Sequence, residues 1–295
     1  MSLPQTEALT DGALAIDRLD AGTALVRMID AQSDSLQTLR TVVPQLEAAA
    51  RLVATALRGQ GRLVYAAAGS SGLMALADAC EMPGTFGIDP ARILIRIAGG
   101  IPVDARMPGD TEDLTDDGLI FAPADVLIAL SASGGTRWAV AAAERAHAAG
   151  VPVIGIANNP GTPLLRAADV AICLPTPPEP LAGSTRMGAG TAQKAALNMI
   201  STLAGVLLGH VHEGQMVNLR ADNAKLRGRA QRIVAHVAGV TAADALRALE
   251  RAQGDTKTAC LIAAGAAPPR AADLLARHHG HLRPALAALH DQDAR

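Results

Sequence analysis

Five short, near-continuous apolar runs mark the middle of the chain: Leu63 to Ala68, Ile93 to Ala98, Val126 to Leu130, Val153 to Ala157 and Val170 to Leu174. Runs of this length without polar alternation suit strands covered on both faces. Helical spacing fills the gaps between them, notably Trp138 to Ala149 with Gly150 just beyond. Strand and crossover helix in alternation predict an α/β fold on a doubly wound, parallel five-stranded sheet, with ligands bound beyond the carboxyl ends of the strands.

The flanks are helical. From Ala21 to Gly59, Leu25, Met28 and Ile29 share one face, and Leu46, Ala50, Val53 and Leu57 recur at three and four. Pro44 suits a first helical turn and Gly59 a left-handed cap, so one or two N-terminal helices are expected to pack on the sheet. A long helix is predicted from about Ala189 to Leu208. Beyond Asn218 the pattern stays helical, with loops at Gly239, Gly254, Pro268-Pro269 and Gly280, which predicts a small helical C-terminal domain. The organisation expected is an N-terminal helical segment (1–59), a sheet domain (60–215) and the helical domain (216–295).

The loops after the strands carry the candidate chemistry. The first strand breaks at Gly69-Ser70-Ser71-Gly72, and a helix follows to Glu81, where Met82-Pro83-Gly84 is expected to stop it. The third is followed by Ser131-Ala132-Ser133-Gly134-Gly135-Thr136, a second hydroxyl-rich turn opening a helix. Two such turns, each offering amides and hydroxyls at a helix N-terminus, can converge on one phosphate. The first turn has no G-x-G-x-x-G and no P-loop lysine, so dinucleotides and nucleoside triphosphates fit poorly.

Composition narrows the partners. The only aromatic residues are Tyr65, Phe86, Phe121 and Trp138, too few for base stacking, and a net charge of −2 gives no electrostatic footprint for DNA or an anionic membrane. Cys80, Cys173 and Cys260 are scattered and odd in number, so they read as small buried hydrophobes in a reducing compartment. The N-terminal stretch MSLPQTEALTDGALAIDRLD is acidic and broken by Pro4 and Gly12, unlike a signal peptide; Ala195 to Val211 contains Asn198, Ser201, Thr202 and His210 and reads as a buried helix. A cytoplasmic protein is expected. Arg220, Lys225, Arg227, Arg229 and Arg232 read as a solvated helix face, and His278, His279, His281, His210 and His212 lack partners at metal-ligand spacing, so no metal is expected.

Residues 183–202, GSTRMGAGTAQKAALNMIST, are long and specific. With TFG at Thr85 to Gly87, AGG at Ala98 to Gly100, Glu112-Asp113, ASG at Ala132 to Gly134 and NAKL at Asn223 to Leu226, the chain resembles the N-acetylmuramic acid 6-phosphate etherases of the sugar isomerase (SIS) superfamily. The likeness runs from about Thr6 into the C-terminal helices. It implies a SIS fold, a homodimer with shared active sites, and a small-molecule 6-phosphosugar as ligand. The implied reaction cleaves the lactyl ether of N-acetylmuramic acid 6-phosphate to N-acetylglucosamine 6-phosphate and D-lactate, in peptidoglycan recycling. The family's two catalytic glutamates match Glu81 and Glu112.

That pair suits the chemistry. In the open-chain sugar the C2 proton lies α to the aldehyde, so one carboxylate can remove it while a carboxylic acid protonates the departing lactate oxygen, and no metal or redox cofactor is needed. The resemblance assigns Glu112 as base and Glu81 as acid. Ser70, Ser71, Ser131, Ser133 and Thr136 are expected on the phosphate, with Ser184, Thr185, Arg186 and Lys194 completing the substrate-binding set.

The chain departs from the family pattern at cations. Leu73 and Gly135 stand where the family has arginines, Gly188 where it usually has lysine, and Met107-Pro108-Gly109-Asp110 replaces an acidic run. Such losses would shift preference among 6-phosphosugars. The rival readings are a non-catalytic phosphosugar-binding regulator and an aldose–ketose phosphosugar isomerase. A DNA-binding regulator ranks last, because residues 1–60 hold five Arg against seven Asp or Glu.

Overall fold

The computed structural model describes residues 4–9, 15–107, 111–115, 118–221 and 223–293. Pro108 to Asp110, and residues 1–3 and 10–14 of the stretch weighed as a signal peptide, lie outside them.

The apolar runs form β1 (Leu63–Ala67), β2 (Ile93–Ile97), β3 (Val126–Ser131), β4 (Val153–Ala157) and β5 (Val170–Cys173). They pair in parallel in the order β2-β1-β3-β4-β5, with Leu63 aligned to Ile93 on one side and Val126 on the other. Every residue of β1, β3 and β4 is buried, which is why these strands read as apolar without alternation. Because β2 lies outside β1 while β4 lies outside β3, the winding reverses between β1 and β3. A crevice at the carboxyl ends of those two strands is the ligand position such sheets favour.

Asp125 pins the opposite, amino ends of the same strands. It is 2% exposed and accepts from the Arg62 amide at 2.8 Å, the Arg62 guanidinium at 2.6 Å and the Ala122 amide at 2.8 Å. Burial alone would raise the Asp125 carboxyl; those donors outweigh it and hold the carboxyl below its usual range.

The N-terminal helices are α1 (Ala21–Gln37) and α2 (Val43–Arg58), joined by a 3-10 turn. α2 buries Val53, Ala54 and Leu57 as expected. α1 packs only part of the face proposed for it: Met28 is half-buried, but Leu25 and Ile29 are 60% and 61% exposed, and its buried residue is Ser35, turned with Gln32 toward the chain around Gly188. The packed side is mixed, with Ala24, Met28 and Ala31 half-buried beside Gln32 and Ser35.

Helix α3 (Gly69–Phe86) does not stop at Glu81. It runs through Pro83 because Met82 and Phe86, 2% and 6% exposed, are buried on either side of the one lost hydrogen bond. It ends instead at Gly87, whose φ is +64° and whose amide donates to the Pro83 carbonyl. No helix forms among the described residues between β2 and β3, where Gly99, Gly100, Pro102 and Pro123 interrupt any helical period. Helices α4 (Arg137–Ala148), α5 (Pro163–Arg166) and α6 (Gly188–Leu207) complete this part of the chain. Ala139, Ala142, Ala143 and Ala146 of α4 form a core with β1, β3 and β4.

The chain divides into two units, Met1–Ala79 with Pro90–Ser201, and Cys80–Asp89 with Thr202–Arg295. The second holds a two-stranded hairpin, β6 (Val211–His212) and β7 (Gln215–Met216), which sequence reasoning missed. It also holds α7 (Ala224–Ala238), α8 (Ala242–Arg251), α9 (Thr256–Ala263), α10 (Pro268–Arg277) and α11 (Leu282–Asp293). Its core gathers Val217, Ile233, Leu249, Leu261, Leu274 and Leu289. Pro268 and Pro269 open α10 rather than forming a loop, since proline's missing N–H costs nothing in a first turn. Asn223, Thr241 and Asp255 each cap a helix with the side chain. Cys80 is exposed, against expectation; Cys260 is buried, and burial pushes its thiol up to about 12. No described helix is long and apolar enough to cross a membrane.

Candidate active site

The two hydroxyl-rich turns follow β1 and β3, on either side of the winding reversal. Gly69 to Gly72 form the opening turn of α3. Gly69 has φ +54°, and a β-carbon there would lie 2.9 Å from Glu112 Oε1. Glu112 therefore rests on the head of α3, where unpaired amides and the helix dipole favour negative charge. Its backbone is held too, since the Trp138 amide of α4 donates to the Glu112 carbonyl at 3.0 Å. Ser71 is buried and Ser70 half-buried.

The second turn is tied together by its own hydroxyls. Ser131 Oγ lies 2.8 Å from Thr136 Oγ1 and 3.2 Å from Ser133 Oγ, and it accepts from the Gly134 amide at 3.0 Å. Ser131 is 2% exposed, so its hydroxyl shapes the turn, while Ser133 is exposed and Thr136 half-buried. Gly134 has φ +71° and no space for a β-carbon, which would fall 2.3 Å from Thr162 Oγ1.

The GSTR segment is linked to the loops after β3 and β4 through Thr6 and Asn159. Ser184 and Thr185 are half-buried and Arg186 exposed. The Gly183 amide donates to the Thr6 carbonyl at 3.0 Å, and Thr6 Oγ1 accepts from Asn159 at 3.1 Å, so the N-terminal segment bridges two loops. Asn159 also donates to the Ala132 carbonyl at 3.1 Å. Asn158, fully buried, accepts from Gln193 Nε2 at 2.8 Å, joining α6 to the strand ends. Lys194 follows on α6, half-buried, and donates to Asn198.

Sequence reasoning missed Glu179. This carboxylate is 3% exposed and takes the Gly188 and Ala189 amides, one on each oxygen, both at 2.9 Å. It caps α6 and so clamps the intervening GSTR turn. Nothing local in the proline-rich crossing around it signals this, because the capped amides lie nine and ten residues downstream. At Gly188 a β-carbon would meet Ser35 Oγ at 2.5 Å.

The first unit thus brings together Glu112, Ser70, Ser71 and the Ser131 to Thr136 turn around the ends of β1 and β3. Glu81 is exposed on α3 and belongs to the second unit. Among the described residues no three His, Cys, Asp or Glu side chains converge as metal ligands.

Residues 106–207 match the SIS domain family. The chain is 39% identical over 289 residues to the N-acetylmuramic acid 6-phosphate etherase of Deinococcus radiodurans, covering 96% of this chain and 95% of that one. It is 39% identical over 291 residues to the N-acetylmuramic acid 6-phosphate etherase of Streptomyces avermitilis, covering 96% and 93%. Among solved structures it is similar to a phosphoheptose isomerase from Francisella tularensis, with a TM-score of 0.45 and 15% identity over 64% of this chain and 100% of that one. On its near full-length identity to these etherases, the chain belongs to the N-acetylmuramic acid 6-phosphate etherase family.

Proposed function

We propose that this protein is a carbon–oxygen lyase that releases D-lactate from N-acetylmuramic acid 6-phosphate in the cytoplasm, during peptidoglycan recycling. The observation that carries the reading is the 39% identity to an etherase across 96% of the chain. Glu112 removes the C2 proton of the open-chain aldehyde. The C2=C3 double bond forms as the C3–O bond breaks, and Glu81 protonates the departing lactate oxygen. Water then adds back, its oxygen to C3 and a proton to C2, leaving N-acetylglucosamine 6-phosphate. Ser70, Ser71, Ser133 and Thr136 hold the phosphate, Ser131 shapes its turn, and Ser184, Thr185, Arg186 and Lys194 complete the substrate contacts.

The working unit is a homodimer. Glu112 rests at Gly69 in the first unit, whereas Glu81 is exposed and belongs to the second. Glu81 is assigned to the site of a second copy, in keeping with the shared active sites that the family resemblance implies. The exposed Leu25, Val26 and Ile29 of α1 offer an apolar face of the kind that subunits cover.

Incubation with the muramyl phosphate in oxygen-18 water tests the reaction. Label at C3 of the sugar, with D-lactate released unlabelled, is expected. A ketose phosphate without lactate would instead mark an isomerase, and binding without turnover a regulator.

A further inference from the structure

We infer that Asp78 is a positioning residue that acts through Asn198 to hold the Lys194 ammonium for the sugar phosphate; this rests on the assignment of Lys194 to substrate binding. Asp78 lies on α3, is 2% exposed, and plays no part in the elimination chemistry. Its Oδ2 accepts from the Tyr65 hydroxyl of β1 at 2.7 Å, and its Oδ1 accepts from Asn198 Nδ2 at 2.7 Å and Ser201 Oγ at 2.8 Å, both on α6. Tyr65 is fully buried, and burial with Asp78 beside it holds the phenol well above its usual range. Apolar residues would join β1, α3 and α6 at lower desolvation cost than a buried carboxylate, so packing alone does not account for it.

What the carboxylate adds is direction. A carboxylate can only accept, so the Asn198 amide must turn its NH2 toward Asp78, and its oxygen then faces the other way. That oxygen accepts from Lys194 Nζ, one turn back along α6. With the amide flipped, the NH2 would face the ammonium and the oxygen would face the carboxylate, two repulsions at once. A lysine stem is long and loses rotamer freedom when ordered, and a fixed acceptor removes much of that loss before ligand arrives. The turn itself is anchored, because neighbouring Gln193 donates to Asn158, whose amide donates to the Ala132 carbonyl in the phosphate turn.

The test measures the dissociation constants of N-acetylglucosamine 6-phosphate and of unphosphorylated N-acetylglucosamine for the full chain and its variants, with melting temperatures alongside. Lys194→Met and Asp78→Asn are each expected to weaken binding of the 6-phosphate about tenfold, as loss of one charge-assisted bond would. The double variant should bind no worse than either alone, since both disable one relay. Asn198→Ala should give the same loss, which keeps the test open if Asp78→Asn does not fold. Ser201→Ala removes a different donor from the same Asp78 oxygen, and should lower the melting temperature while leaving the dissociation constant unchanged. Additive losses in the double variant, or tight binding by Asp78→Asn and Asn198→Ala beside weak binding by Lys194→Met, would overturn the relay. Unchanged binding by Lys194→Met would instead overturn the assignment of Lys194 to substrate.

Discussion

Glu112 Oε1 lies 2.9 Å from the point a β-carbon would take on Gly69, so the glycine is what allows the carboxylate to rest on the head of α3. Gly69→Ala should therefore move Glu112 and strain the backbone, whose φ is +54°. The strain costs about 1 kcal/mol, a small fall in melting temperature. On the proposed role of Glu112 as the base, its displacement costs more, about 10²-fold in kcat/KM. Lactate release by a folded variant measures this; full activity would mean that the contact has no catalytic consequence.

Glu179 holds the first two amides of α6 with both carboxylate oxygens. In Glu179→Gln one oxygen becomes an NH2 that faces an amide N–H, so one bond is lost and a donor repulsion replaces it. A stability loss of about 2 kcal/mol is expected from the charge-assisted bond. Because Ser184 to Arg186 lie between the carboxylate and the helix it caps, KM for the phosphosugar should rise more than kcat falls. Denaturant melts and steady-state kinetics on one preparation separate the two effects.

The five strands were legible because a strand buried on both faces leaves an unbroken apolar signature, and the two turns because glycine and serine interrupt it where the chain must expose amides. What stayed hidden is non-local. Glu179 caps amides nine and ten residues downstream, beyond a proline-rich crossing, and α1 turns Gln32 and Ser35, not Leu25 and Ile29, toward α6. Pro83 reads locally as a stop, and the burial of Met82 and Phe86 around it overrides that signal. Within the TFG and NAKL motifs that mark the family, Phe86, Gly87 and Asn223 also have packing or capping causes. Phe86 lies where a Gly205 β-carbon would stand, 2.6 Å away, Gly87 lies under the Asn218 carbonyl, and Asn223 caps α7.

A homodimer with shared sites makes a sharp prediction for mixtures. Glu81→Gln and Glu112→Gln should each be inactive alone. Unfolded together and refolded, they should recover about a quarter of wild-type activity, since half the dimers are mixed and each mixed dimer has one intact site. A mixture as inactive as its parts would place both glutamates in one chain's site.

His210 makes the second unit acid-sensitive. Burial, then the charges of Lys257 and His281, lower its imidazole from 6.5 to about 4, outweighing its bond to the Phe86 carbonyl. A base whose folded value is depressed is neutral in the fold and protonated on unfolding. Between about pH 6.5 and pH 4 the unfolded chain thus binds the extra proton. The stabilisation is complete above the higher value and is lost as pH falls toward the lower one, by about 3 kcal/mol as an upper bound. Urea unfolding followed from pH 7 to pH 4 should show this slope, and His210→Gln, which does not titrate, should flatten it. Parallel losses in the two proteins would mean that the acid sensitivity arises at other groups.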